Sequence, residues 1–275
     1  MAEQDGRKHE LTGYVDIWWQ AVDDLTTLLE GLDPEDWRRP TDLAGWDVHA
    51  VVAHTAHLES LLAGGEHADV DVSGASHVRN ALGTFTEQGV VARRDRTPDE
   101  LLVEVRESAT RRRTALLADP PTDPDAPAPG AFGMVGWSTL TLLRNRPLDV
   151  WMHEQDVRRA VGRPGNLDSP AALHTVDYLS ESLGLVLAKR VGAPAGTTAA
   201  VRVEGRPERR FRVGDDGRGH EVAASDGAAD TTLDLGVEAF ALLAGGRRPA
   251  DSVDLAVTGD ADLGRRLAGA MAVTP

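Results

Sequence analysis

Cysteine is absent from this sequence altogether. That excludes a disulfide framework, a thiolate metal site and a cysteine nucleophile, so any sulfur chemistry requires a thiol brought from outside. Basic charge is also short: 29 Lys and Arg stand against 44 Asp and Glu, for a formal net charge of −15. Binding to nucleic acid rests on lysine and arginine neutralising phosphates, so this balance argues against such a partner. The densest basic cluster, RRR at 111–113, sits beside Glu104 and Glu107 and reads as a solvated helix face. No apolar run approaches the roughly 18 residues that a membrane span needs. The opening MAEQDGRKHE lacks the apolar core of a signal peptide, which makes a cytoplasmic protein without a membrane partner the expectation. Internal repeats and low-complexity tails are missing too.

What is present fits a soluble globular protein: 275 residues, 41% apolar and 27% charged, enough for two domains that each bury a core. LTGYVDIWWQAVDDLTTLLEGL, residues 11–32, keeps apolar residues at helical spacing through Leu11, Tyr14, Trp18, Val22, Leu25 and Leu29. In WDVHAVVAHTAHLESLLAGG, Asp47 is positioned as an N-cap and the glycine pair as a stop. TPDE at 97–100 is a capping box with proline at the first helical position, predicting a helix from about Pro98 to Ala118. After the proline-rich loop DPPTDPDAPAPG, a fourth helix is predicted over Trp137–Val161, with Pro147 expected to kink or restart it. Ser169 and Pro170 open a fifth helix.

Beyond about residue 195 the texture changes to alternation. TTAAVRVEG, RRFRVGD, GHEVAAS, TTLDL and SVDLAVTG read as short strands, with VEAFALLAGG and ADLGRRLAGAMAV as helices among them. The expected architecture is a two-domain α+β chain. It comprises a four-helix bundle over residues 1–166, a linking helix over 167–194 and a small α+β domain with a mostly antiparallel sheet over 195–275.

The histidines carry the functional signal. In LDVWMHEQDVRRAVG, residues 148–162, a helix would stack Asp149, His153 and Asp156 on one face, and AHTAHLE supplies His54 and His57 from another helix. Two histidines from different helices plus a carboxylate make a three-donor set suited to zinc or another divalent ion. Spacing alone leaves the alternative open, because a histidine inside a bundle is commonly a hydrogen-bonded core residue. Glu154 and Asp156 are candidates for orienting a histidine through its other ring nitrogen, or are surface acids beside Arg158 and Arg159.

GWDVHAVVAHTAHLE, DVWMHEQDVRRAVGRP and GDADLGRRLAGAMAVTP, in that order and separation, resemble the mycothiol-dependent maleylpyruvate isomerase family. The N-terminal half of that family belongs to the DinB-like metal-binding four-helix bundles. The resemblance implies His54, Asp149 and His153 as ligands of a divalent metal, zinc first. Asp149 stands where the family has a glutamate, a departure that draws the oxygen back by about 1.5 Å. Catalysis would then run through these three residues and the metal, with Asp156 behind His153 and His57 lining the pocket. Arg265 and Arg266 would meet a substrate carboxylate if the C-terminal domain folds over the bundle mouth, and otherwise lie on a solvent-exposed helix face. The implied activity is that of a metal-dependent S-transferase or isomerase, in which a metal-bound thiolate of mycothiol or a similar thiol attacks a small electrophile. The rival readings are a hydrolase using metal-bound water and a non-catalytic binding or regulatory protein. The expected state is a monomer or homodimer.

Overall fold

The computed structural model describes residues 2–224 and 227–274, without the side chains of residues 2–10. By its internal contacts the chain divides into two compact units, residues 1–166 and 167–275.

The first unit is helical. Its elements are α1 (Ala2–Glu30), α2 (Val48–Leu62), α3 (Ala81–Val91), α4 (Pro98–Ala118), the short α5 (Gly130–Met134) and α6 (Thr139–Val161). Four of them close a bundle: α1 packs on α4 and α6, and α2 packs on the same two. The starts are set locally, where side-chain oxygens satisfy amide groups that have no partner inside the helix. Asp47 accepts from the Ala50 amide at 2.8 Å, Ser138 accepts from the Thr141 amide at 3.2 Å, and Thr97 and Glu100 complete the capping box. At the far end of α6, Gly162 takes φ +69° and donates its amide to the carbonyls of Arg158 and Arg159. A left-handed residue is what this cap needs, and glycine adopts it without a Cβ penalty.

The buried stripe of α1 runs through Leu11, Val15, Trp18, Val22, Leu25 and Leu29, one residue every three or four. Helix α2 is buried almost all round, from Val48 to Glu59, because α3 covers a side that the bundle leaves open. Helix α3 has no counterpart in the sequence reading. Of the kink or restart that Pro147 predicts, the restart does not occur: α6 is helical throughout Thr139–Val161 and Pro147 is buried within it. A proline inside a helix costs about 3 kcal/mol. The neighbouring Leu143, Leu148, Val150 and Trp151 are all buried, and the contact of α6 with α1 outweighs that cost.

The second unit opens with α7 (Pro170–Ser180) and the single turn α8 (Leu183–Leu185), followed by a π-helical turn over 186–190. The rod predicted as one helix from Ser169 therefore breaks after Ser180. Where it breaks, Gly184 lies against Gly219, and a Cβ on Gly219 would stand 1.9 Å from the Gly184 carbonyl oxygen. Strands β1 (Thr198–Val203), β2 (Arg209–Val213), β3 (Gly219–Val222), β4 (Thr231–Leu235) and β5 (Leu255–Gly259) form one sheet in the order β3-β2-β1-β4-β5. Only β1 and β4 pair in parallel; the other three pairings are antiparallel. Helix α9 (Val237–Ala244) packs on α7, and α10 (Ala261–Gly269) packs on β4 and β5. Every strand predicted from alternation is present, and the sheet is mixed but mostly antiparallel. No described helix is long and apolar enough to cross a membrane.

Candidate metal centre

Helices α2 and α6 are neighbours in the bundle, so His54 on one faces Asp149 and His153 on the other. One donor atom from each of the three lies within 4.8 Å of the other two. The Asp149 carboxylate sits between the imidazoles, with Oδ2 4.0 Å from His54 Nε2 and Oδ1 3.7 Å from His153 Nε2. The two rings meet edge to face with centroids 4.8 Å apart. Both histidines are buried, whereas the Asp149 side chain keeps 21% exposure, enough for an approach from outside.

These separations are too long for hydrogen bonds. They lie close to the edge of about 3.3 Å expected between ligands of a tetrahedral ion with bonds near 2.0–2.1 Å. His54 Nδ1 is buried with no hydrogen-bond partner, so neither nitrogen of that imidazole is satisfied by the protein. A cation between the Asp149 carboxylate and the Nε2 atoms would engage donors that stand at non-bonding distance from one another. Two neutral nitrogens and one carboxylate oxygen are also the donor types that zinc accepts. The residues therefore fit a divalent ion.

The surroundings orient and polarise each of the three side chains. Asp156, fully buried, accepts from His153 Nδ1 at 3.2 Å. A carboxylate can only accept, so Nδ1 carries a proton and Nε2 is the nitrogen turned to the Asp149 side. Asp156 is itself held by Arg159 Nη2 at 2.6 Å, and Arg159 Nε reaches Asp42 at 2.7 Å. Burial pushes the His54 imidazole below its ordinary pKa, and His153 and Arg146 act in the same direction against Asp149. For Asp149, burial opposes ionisation, but Arg146 and the two histidines hold the carboxyl well below the usual carboxylate range. Glu154, the other acid considered for His153, is turned to Arg158 at 2.7 Å and to Asn166 at 2.7 Å.

Trp46 forms a wall of the cluster, its ring 5.1 Å from that of His54 and 6.4 Å from that of His153. Its indole N–H donates to Glu87 on α3 at 2.8 Å, and His77 binds the same carboxylate oxygen at 2.9 Å. Trp46 and Glu87 also border an open cleft of about 850 Å³, together with Pro40, Leu43 and His49.

His57, one turn after His54, does not join the donors. It is 1% exposed, with Nε2 3.2 Å from His67 Nδ1 and its ring against Phe85. Gly89 of α3 presses on it so closely that an added Cβ would lie 2.3 Å from the imidazole. Burial, with Arg93 adding to it, lowers the His57 pKa to about 3. The folded ring therefore stays neutral while an unfolded one takes up a proton below about pH 6.5. The sign follows: this group leaves stability unchanged above pH 6.5 and removes it as pH falls from there toward 3. We expect a loss approaching about 1.4 kcal/mol per pH unit across that window from this residue. Urea unfolding of His57→Gln between pH 6 and 4 should show a pH slope shallower by one proton; an unchanged slope would refute the assignment.

Arg265 and Arg266 lie on α10 of the second unit. Arg265 pairs with Asp262, and Arg266 donates to the Val191 carbonyl at 3.4 Å. Sequence reasoning missed Glu59, Arg146, Trp46 and Glu87. The one signal it could have used was Glu59 as an acid within the otherwise apolar α2.

A helical bundle whose α2 and α6 bring His54, Asp149 and His153 together, followed in one chain by an α+β unit with a mostly antiparallel sheet, is the class that the fold and the cluster define. The chain belongs to the mycothiol-dependent maleylpyruvate isomerase family. The family description "Mycothiol maleylpyruvate isomerase N-terminal domain" matches residues 18–158, and "MDMPI C-terminal domain" matches residues 174–266. Among solved structures, a crystal structure of the mycothiol-dependent maleylpyruvate isomerase is similar at 18% identity, and one of a histidine-to-alanine mutant of it at 16%. Each comparison covers 90% of this chain and 95% of the other with a TM-score of 0.55, which shows a shared fold. No curated protein matches the chain.

Proposed function

We propose that His54, Asp149 and His153 hold a divalent cation, zinc first among candidates, and that the protein is an isomerase or S-transferase dependent on a low-molecular-weight thiol such as mycothiol. The observation that carries this reading is the convergence of three donors from α2 and α6 in a member of this family. A bound cation supplies Lewis acidity, which favours the thiolate form of a coordinating thiol near neutral pH.

The chain's own residues do the rest. Asp156 keeps the proton of His153 on Nδ1, and the run through Arg159 to Asp42 keeps the ring from rotating. Trp46, fixed by Glu87, walls off the two imidazoles and limits water there. The 850 Å³ cleft shares Trp46 with the cluster and offers room beside it for thiol or electrophile. Since no cysteine is present, the nucleophilic sulfur is the cosubstrate's. Maleylpyruvate, named for the solved relatives, is the first electrophile to try.

The test is turnover of maleylpyruvate and of a model electrophile with and without added mycothiol, before and after chelation. Activity should require the thiol, fall with the chelator and return with zinc. Turnover that persists without thiol would transfer the case to a hydrolase, and none under any condition would leave a binding protein.

A further inference from the structure

Behind Asp149 lies a buried chain of charges that the reaction outlined above does not use. Arg146, one turn earlier on α6 and 1% exposed, donates from Nη1 to Asp149 Oδ2 at 2.8 Å. From its other edge it donates to Glu59 Oε1 through Nε at 3.2 Å and Nη2 at 2.6 Å. Glu59 is fully buried on α2, and it also accepts from the Trp18 indole at 3.0 Å and lies 3.7 Å from Arg112. Helices α1, α2, α4 and α6 each send a side chain to this core.

Burying such groups is costly, and apolar replacements of equal volume commonly serve stability as well. The arrangement therefore calls for a reason beyond holding the bundle together. The guanidinium is clamped between two carboxylates, so it has no freedom to swing. It occupies Oδ2 of Asp149 and leaves Oδ1, which faces His153, without a hydrogen bond. Glu59 also offsets the positive charge that Arg146 would otherwise present to an incoming cation.

We infer that Arg146, braced by Glu59, is a positioning residue for the candidate ion site: it fixes the carboxylate of Asp149 so that Oδ1 is the oxygen offered to the cation. This rests on the metal reading proposed above. Both residues act through Asp149 and touch neither substrate nor thiol.

The test uses the full-length chain and zinc, with affinity read by competition against a chromophoric chelator and geometry read from the visible spectrum of the cobalt form. Arg146→Met leaves Glu59 with Trp18 and Arg112 as partners, so the bundle should remain folded while Asp149 loses its anchor. Zinc affinity should fall by about 10–100-fold, the usual loss when an outer partner of a ligand is removed. The cobalt spectrum should change as well. Glu59→Gln should weaken binding in the same direction, and Arg146→Lys, which keeps the charge without the fork, should fall between it and the wild type. Should Arg146→Met fail to fold, the lysine variant carries the test. Wild-type affinity and an unchanged cobalt spectrum in the folded variants would overturn this inference alone. A wild type that binds no ion would instead remove the metal reading, and this inference with it.

Discussion

Alanine at His153 should leave the purified protein with almost no bound zinc. The wild type is expected to hold about one ion per chain, as a three-donor site with an open position does. Removing a direct donor costs more than removing an outer partner, so affinity should drop by well over about 100-fold. His54→Ala and Asp149→Ala should behave alike, because the three donor atoms form a single cluster within 4.8 Å. His57→Ala is the informative control: its Nε2 is engaged by His67, and it should keep the ion. Metal analysis of the four variants after dialysis decides the matter. Retention of the ion in all three donor variants would remove the centre, and its loss in His57→Ala would assign the wrong histidine of α2.

Truncating Trp18 is expected to have the largest effect on stability. The side chain is 1% exposed, its indole donates to Glu59 at 3.0 Å, and the Arg112 guanidinium lies 4.5 Å from the ring centre. Trp18→Ala removes a large buried volume at a cost of about 3–5 kcal/mol, before the cation–π contact is counted. For a unit of this size each kcal/mol lowers Tm by about 2–4 °C, so the helical signal should melt about 10 °C earlier. Trp18→Phe fills most of the space but takes a donor from a buried carboxylate, and should cost about 1–3 kcal/mol. Thermal melting followed by circular dichroism separates the two. A shift below about 3 °C for the alanine variant would mean that Glu59 and Arg112 do not depend on Trp18.

A run of side chains ties the core to the His54–Asp149–His153 cluster. Trp18 supports Glu59, Glu59 braces Arg146, and Arg146 holds Asp149. A substitution at position 18 thus reaches Asp149 through two side chains, Glu59 and Arg146, without touching it.

The sequence alone determined whatever depends on near neighbours. Asp47, Thr97 and Ser169 mark helix starts because each cap is a bond between residues three apart. Alternation marks the strands of the second unit for the same reason, and the four-residue step from Asp149 to His153 needs only a helix. Tertiary structure decided the rest, because it depends on which elements become neighbours. The parallel pairing of β1 with β4, the unbroken passage of α6 through Pro147 and the covering of α2 by α3 follow from packing. So does the division of labour between His54 and His57, which share a helix and a chemistry: one faces α6, and the other is pressed by Gly89 of α3. Glu59 and Arg146 stand 87 positions apart, and no periodicity links them. They meet because α2 and α6 pack side by side, and burial then obliges each charge to find its counterpart.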